Sequence, residues 1–242
     1  MKSGLKEVRE PLGLSDTIYA ALRAEVMSCR LPPGAPIDTN ALTERFKVSK
    51  TPLRDALKRL SVEGLVDILP RSGYRVKPIT FRAIHEILDL RAALGPHAAF
   101  MAARHVTAAE LDELRAILDD YLPASGQDEL QSVARRFHVA VARASRNARL
   151  ATLTDTLFEE LERVMRLTVD FSPRKDEDSR DHRLLIDALA KGDSDAAAEI
   201  ERSHIVKARA FLFETLIVKG HFSASEISDL GRARTLRQEH RG

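Results

Sequence analysis

The chain has few of the features that define several large protein classes. It contains a single cysteine, Cys29, which excludes a disulfide framework and a cysteine zinc knuckle. No apolar run approaches the roughly 20 residues that a membrane-spanning helix needs, and residues 1–11 lack the apolar segment of a secretory signal. Because a lone thiol suits a reducing compartment, we expect a cytoplasmic protein with no membrane partner.

The composition is that of an ordinary globular protein with one strongly basic segment. Hydrophobic residues make up 44% of the chain and charged residues 31%, and the net charge is only +2. Positive charge is concentrated between Arg45 and Lys77, where nine basic residues stand against three acidic ones. A basic stretch in an otherwise nearly neutral chain is typical of a surface that contacts nucleic acid.

The first third of the chain predicts three helices and a β-hairpin. Apolar residues recur at helical spacing in three short segments. The third segment follows Ser49, a residue type common at helix N-caps, and carries Pro52 in its first turn, where a missing N–H costs nothing. Residues 65–77 then predict two strands around a turn. This order predicts a winged helix-turn-helix domain over residues 1–78.

The remainder of the chain predicts only helices. We expect Gly95-Pro96 to kink or break the first of them. Seven short helices with apolar stripes predict a helical bundle over residues 79–222, and the polar, basic segment 223–242 is expected to be mobile. The predicted fold is therefore mainly α, with an N-terminal winged helix-turn-helix and a C-terminal all-helical bundle.

The third helix carries the residues that we expect to contact DNA. The major groove admits one helix, whose exposed N-terminal residues touch base edges. Lys50 and Arg54 share a face because they are four residues apart, and the hairpin turn adds basic side chains around Gly73. A basic helix face is often merely solvated, but a helix-turn-helix spacing followed by a basic hairpin tip favours DNA binding. The expected DNA-binding residues are Ser49, Lys50, Thr51, Arg54, Arg71 and Gly73.

Five segments of this region resemble the GntR family of bacterial transcription regulators. They are Pro33-Gly34, Leu42–Phe46, Val48–Leu60, Glu63–Val66 and Arg71–Val76. In that family, the residues that match Lys50 and Arg54 contact bases. Two residues depart from the family pattern, since Lys47 stands at a turn position usually held by glycine and Asn40 stands where one branch has an arginine. Both departures bear on the operator sequence rather than on DNA binding.

The second part of the chain resembles the FadR-type branch of the same family, which has an all-helical effector domain called FCD. The segments that carry this resemblance are Leu90-Arg91, Phe137-His138, Ala144–Asn147, His182–Asp193 and Ser203-His204. The resemblance implies a ligand-released repressor and a dimer contact made largely by the helical domain. We expect a homodimer on an inverted-repeat operator, because a two-fold dimer doubles the contacts of one helix-turn-helix.

The same resemblance implies a metal site. Metal-binding members of that branch use three histidines, which match His138, His182 and His204, and one aspartate, in whose place this chain has Ala134. From the residues alone, each histidine shares a face with apolar residues and none has a short ligand spacing with another, so a hydrogen-bonded core role stays open. Three neutral imidazoles suffice for zinc with water as fourth ligand. We expect these histidines to bind a divalent metal, with zinc the most favourable. Because the aspartate is missing, the metal should bind more weakly than in the members that have it.

Arg91 is the expected effector-binding residue. A buried guanidinium can hold a carboxylate by two parallel hydrogen bonds, although an ordinary internal ion pair is the alternative. Gly95 stands where relatives often carry glutamate, which predicts a pocket with less negative charge. The expected effector is a small carboxylate.

Two other functions stay open. A metal-dependent hydrolase could use three histidines and a water, but the sequence places no recognisable general base near them and leaves the N-terminal DNA-binding region without a role. A nucleoid-type architectural protein would bind DNA without sequence preference or ligand response. We expect a ligand-responsive transcription regulator rather than an enzyme.

Overall fold

The computed structural model describes residues 13–121, 126–168 and 172–218, which form two compact units that divide between Ile79 and Thr80. The first unit combines helices with a small sheet, and the described part of the second is all helical. The predicted fold class is therefore confirmed. No helix within these ranges combines the length and the apolar character that a bilayer crossing requires.

The first unit has the order helix, strand, two helices and hairpin. Its elements are α1 (Leu14–Met27), β1 (Pro36–Ile37), α2 (Thr39–Phe46), α3 (Lys50–Val62), β2 (Val66–Leu69) and β3 (Gly73–Val76). Strand β3 pairs antiparallel with both neighbours, so the sheet order is β1-β3-β2. The sequence did not predict β1, because two residues are too short to show an alternating pattern.

One apolar core holds the three helices of the first unit together. The buried apolar side chains of α1 and α3 are those of Ile18, Leu22, Val26, Leu53, Ala56, Leu57 and Leu60. Because one face of α3 is fixed in this core, the opposite face is held toward solvent. Between α2 and α3, Lys47 has a φ of 54°, so a lysine adopts the left-handed conformation that glycine usually supplies.

An ion pair between a buried glutamate of α1 and an exposed arginine of α2 links the two helices. Arg45 donates from Nη1 to Oε2 of Glu25 at 3.0 Å, and Glu25 is only 8% exposed. The hydrogen bond from Arg45 lowers the pKa of the Glu25 carboxyl more than burial raises it. The pair therefore helps to fix the position of α2 relative to α1. The turn from α2 into α3 is fixed with it.

The second unit is a bundle of long helices. Its elements are α4 (Phe81–His105), α5 (Ala108–Tyr121), α6 (Gln127–Ala144), α7 (Ala148–Thr168), a 3₁₀ turn (Ser172–Arg174), α8 (Lys175–Ala190) and α9 (Ser194–Val218). Side chains from α4, α5, α6, α8 and α9 make its main core, with Phe137 among the most buried. The predicted tail at 223–242 lies outside the described residues.

Helix α4 runs unbroken across Gly95-Pro96, so the predicted break is wrong. Pro96 lacks the N–H that would bond the carbonyl one turn earlier. Helix α4 packs along α9, however, and Gly95 approaches that helix so closely that a Cβ would stand 2.6 Å from Cδ1 of Ile205. Burial along the whole of α4 outweighs one missing hydrogen bond, and this tertiary contact leaves no local pattern in the sequence.

Glu110 ties the start of α5 to the end of α6. Thr107 donates from its backbone N to Oε2 of Glu110 at 2.8 Å, and Glu110 donates from its backbone N to Oγ1 of Thr107 at 3.3 Å, which makes a capping box. Arg146 donates to the same carboxylate oxygen at 2.8 Å and to the carbonyl of His105 at 2.9 Å. The hydrogen bond from Arg146 is the main cause that lowers the pKa of Glu110 to about 2.

Replacing Glu110 with glutamine should destabilise the protein at neutral pH and matter less in acid. The lowered pKa means that the ionised carboxylate contributes stability above its ordinary pKa of 4.5, and that this stability is lost as the pH falls through about 2. Because the pair is partly exposed, we expect a loss of roughly 0.5–1 kcal/mol at neutral pH.

Denaturant unfolding of the full chain between neutral pH and about pH 3 measures this effect. The control is Glu113→Gln, which changes an exposed glutamate on the same helix. Equal losses in the two variants, or a loss that does not shrink in acid, would contradict the assigned role of Glu110.

Candidate functional site

The basic residues of the first unit fall into paired and unpaired groups. The paired ones lie in the contacts Arg23–Glu63, Arg45–Glu25, Arg59–Asp16, Arg75–Asp67 and Lys58–Asp55, where an acid of the same unit offsets the positive charge. Lys50, Arg54 and Arg71 form no hydrogen bond or ion pair with any residue that the structure describes. Their charges therefore remain available to an anionic partner.

The β2–β3 hairpin is the wing of this unit. Together with Lys50 and Arg54 of α3, it lines one cavity of about 260 Å³. Gly73, the first residue of β3, lines the same cavity, and its φ of 91° favours a glycine. Arg71 also has a positive φ, 65°, so the tight turn presents its side chain at the tip of the wing. Ser49 occupies the N-cap position of α3, but its side chain makes no capping hydrogen bond. The predicted DNA-binding residues, Ser49, Lys50, Thr51, Arg54, Arg71 and Gly73, are all exposed.

The three predicted histidines of the second unit come together. His138 lies on α6, His182 on α8 and His204 on α9, and all three are buried. One ring nitrogen of each lies within 4.8 Å of the others, and the ring centroids are between 4.9 and 5.3 Å apart. Three helices thus bring three imidazoles to one point in the bundle.

Buried carboxylates lie behind two of these histidines. Oε1 of Glu201 is 3.2 Å from Nδ1 of His138, and Oδ2 of Asp181 is 3.4 Å from Nδ1 of His204. Asp178 stands slightly farther away, with Oδ1 at 3.7 Å from the same nitrogen of His204. A carboxylate at Nδ1 orients an imidazole and leaves Nε2 for a metal.

Sequence reasoning missed these acidic residues, although spacing could have found two of them. Glu201 precedes His204 by three residues and Asp178 precedes His182 by four, so each acid lies one helical turn from an inward histidine. Carboxylates therefore lie close to the histidines, where the sequence predicted no general base. The expectation that Gly95 leaves the pocket short of negative charge is wrong, because Glu201 occupies the space beside it, with Oε1 3.1 Å from where a Cβ would stand.

Burial disfavours the charged form of His138 and of His182. Burial lowers the pKa of His138 despite the nearby Glu201, and it lowers the pKa of His182 well below the ordinary value. Burial alone would raise the pKa of Glu201, but the contact with His138 and the positive charge of Arg91 bring it to about 2. A neutral imidazole is the form that binds a metal, and three such donors fit zinc.

The histidines line a mostly apolar cavity of about 50 Å³. Leu130, Phe158 and Met165 form part of its apolar wall. Ala134, in the position where the metal-binding relatives imply an aspartate, lines the cavity one turn before His138. Since a cavity needs roughly 10–15 Å³ to hold one water, this cavity has room for a few waters or the polar end of a small organic acid.

Arg91 lies in the same cavity. It is 8% exposed, and its guanidinium carbon stands 4.2 Å from the centre of the Phe158 ring. Burial lowers its pKa, while the charges of Glu201 and Asp178 oppose that shift. Within the described residues Arg91 donates no hydrogen bond and forms no ion pair, so the internal ion pair considered from the sequence is not found there.

Comparison with known proteins agrees with this architecture. The pattern described as "Bacterial regulatory proteins, gntR family" matches residues 14–76, and the FCD domain matches residues 86–207. The chain is 26% identical over 196 residues to the HTH-type transcriptional repressor RspR of Escherichia coli K12, covering 79% of this chain and 86% of the relative. It is 28% identical over 200 residues to the repressor GlaR of the same organism, covering 78% and 90%.

A solved structure shares the fold. The structure of a GntR transcriptional regulator from Rhodococcus sp. RHA1 superposes with a TM-score of 0.69 at 19% identity, over 83% of this chain and 97% of that one. The two matched domains together account for most of the chain. The chain belongs to the GntR family of bacterial regulatory proteins, with a C-terminal FCD domain, and is a ligand-responsive DNA-binding transcription regulator.

Proposed function

We propose that this protein is a cytoplasmic transcriptional repressor that leaves its operator when a small organic acid binds in the helical pocket. The main support for this proposal is that the guanidinium of Arg91 is buried and has no hydrogen-bonding partner among the described residues. Burying such a group unsatisfied is costly, and a carboxylate satisfies it with two charge-assisted hydrogen bonds. The naming of RspR and GlaR as repressors supports the direction of regulation.

Two unpaired basic side chains are proposed to recognise the operator. Lys50 and Arg54 stand on the exposed face of α3, where an arginine can bond both acceptors of a guanine edge. Arg71 at the wing tip is proposed to contact phosphate or the minor groove. One such unit covers few base pairs, so the proposed active form is a homodimer on an inverted repeat.

The three histidines are proposed to hold a divalent metal, with zinc the most favourable. Glu201 orients the ring of His138 through Nδ1, and Asp181 lies 3.4 Å from Nδ1 of His204. When bound, the metal supplies a positive centre that attracts a carboxylate. Arg91 binds the same effector and fixes its orientation. An effector that binds one arrangement of the bundle better than another shifts the population toward it, and in this way releases DNA.

Arg91 provides the direct test of acid sensing. A small carboxylate that releases the wild-type protein from its selected operator should fail to release Arg91→Gln, while affinity for the operator without acid stays unchanged. Fluorescence anisotropy with a panel of small carboxylates measures both quantities. The control is Arg115→Gln, which changes an exposed arginine on α5. Undiminished release of Arg91→Gln, or no release of the wild type by any acid, refutes this function.

Arg54 tests recognition of bases. Arg54→Ala should cost roughly 1–3 kcal/mol on the selected operator and much less on random DNA, because only a base contact depends on sequence. Lys58→Ala, whose lysine lies 4.0 Å from Asp55, should weaken binding to both DNAs about equally. Gel-shift titrations decide between these outcomes, and equal losses on the two DNAs for Arg54→Ala would exclude its role in base recognition.

The histidine cluster is tested with zinc alone. His182→Ala should lower zinc affinity at least roughly tenfold because it removes a direct ligand, given that even outer-shell changes cost this much, and Ala134→Asp should raise affinity by adding an anionic ligand. The control is His97→Ala, which removes an exposed histidine of α4. Calorimetry and elemental analysis of untagged full-length protein provide the measurement. An absence of metal above background, with zinc affinity unchanged in His182→Ala, would eliminate the metal.

A further inference from the structure

Gln131 is a buried amide in the effector pocket without a hydrogen-bond partner. It is 3% exposed, and neither its Oε1 nor its Nε2 bonds any group in the described part of the chain. Its side chain lines the same cavity as Arg91 and the three histidines. Native structures rarely leave both atoms of a buried amide unpaired, because each lost hydrogen bond destabilises the fold. Such a group points to a ligand that completes it.

Gln131 lies on the same helix as His138, two turns earlier in α6. Gln131, Ala134 and His138 follow at spacings of three and four, so they share one face of the helix. At a rise of 1.5 Å per residue, the backbones of Gln131 and His138 are about 10 Å apart. Ala134 stands between them, and its methyl group leaves open the space that an aspartate side chain would fill. The cavity is therefore continuous from the histidines to Gln131.

The side chains that line the cavity differ in chemical character between Arg91 and the histidines on one hand and Gln131 on the other. Arg91 and the histidines favour an anion, whereas the Gln131 amide is neutral and can both donate and accept. The wall near Gln131 is apolar, with Leu130 and Met165 in the same cavity. Apart from Arg91 and the three histidines, the lining of this cavity contains no basic side chain among the described residues that could favour a second carboxylate.

We propose that Gln131 determines effector specificity, and that the effector is a small carboxylate with a second, neutral hydrogen-bonding group such as a hydroxyl or carboxamide. This inference rests on the proposed function, in which Arg91 binds the carboxylate. Gln131 bonds the second group across the space beside Ala134. A site built to hydrogen-bond such a group rejects the analogue without it, because the buried amide is then left unpaired.

Matched acids test the preference. The probes are short straight-chain carboxylates and their terminal-hydroxyl counterparts of equal carbon number, titrated calorimetrically into full-length protein with and without zinc. The wild type should bind the best hydroxyl acid roughly tenfold or more tightly than its parent acid. Gln131→Met, which keeps the size and removes the amide, should lose this preference while binding the parent acid as before.

Met165→Leu is the control, since it changes the apolar wall of the same cavity and leaves the Gln131 amide in place. This variant should keep the preference for hydroxyl acids even if all affinities shift. A preference that survives in Gln131→Met, or equal affinities for both acids in a wild type that binds them, overturns the role of Gln131.

The melting temperature of the ligand-free protein separates this inference from the proposed function. Gln131→Met should raise Tm, because it replaces an unpaired amide with an apolar group of similar size, whereas Met165→Leu should leave Tm nearly unchanged. A lower Tm for Gln131→Met shows an amide that serves the fold and overturns the inference. If no acid binds the wild type, the proposed acid sensing is refuted. A higher Tm of Gln131→Met would in that case still support the inference that the Gln131 amide faces a ligand.

Discussion

The effector pocket depends on the cost of burying charged side chains inside an apolar helical bundle. Arg91 and Glu201 are both less than a tenth exposed, and neither could stay ionised there at reasonable cost without opposite charge nearby. Each influences the pKa of the other in the direction that favours the charged form. Asp178 adds a second negative charge, which Arg174 offsets through a contact of 2.7 Å. These acids therefore let the bundle hold a buried guanidinium beside the three histidines.

Patterns within one helix or hairpin could be predicted from the sequence, because burial follows the helical repeat. The stripe of Leu53, Leu57 and Leu60 fixed the inward face of α3, and with it the exposure of Lys50 and Arg54. The inward positions of the three histidines followed from the same rule. A family resemblance, rather than periodicity, suggested that those histidines share one site.

Contacts between helices distant in sequence could not be predicted in this way. Glu201 on α9 meets His138 on α6 because both helices pack against α4 in the bundle, and neither helix shows this contact in its own pattern. The continuity of α4 through Pro96 has the same origin, since burial against α9 outweighs a local helix-breaking preference. Local propensity therefore located the elements, while tertiary packing decided which polar groups pair and which stay unpaired.

The substitution at position 134 links metal and effector on the proposed function. An aspartate there would supply negative charge to the metal and fill the space between His138 and Gln131. Ala134 supplies neither, so the metal keeps more of its positive charge and the space stays open to a ligand. A carboxylate from the effector then takes over the electrostatic role of the missing side chain. Because binding couplings are reciprocal, effector and metal must each raise the affinity for the other by the same factor, which makes metal occupancy itself dependent on the effector.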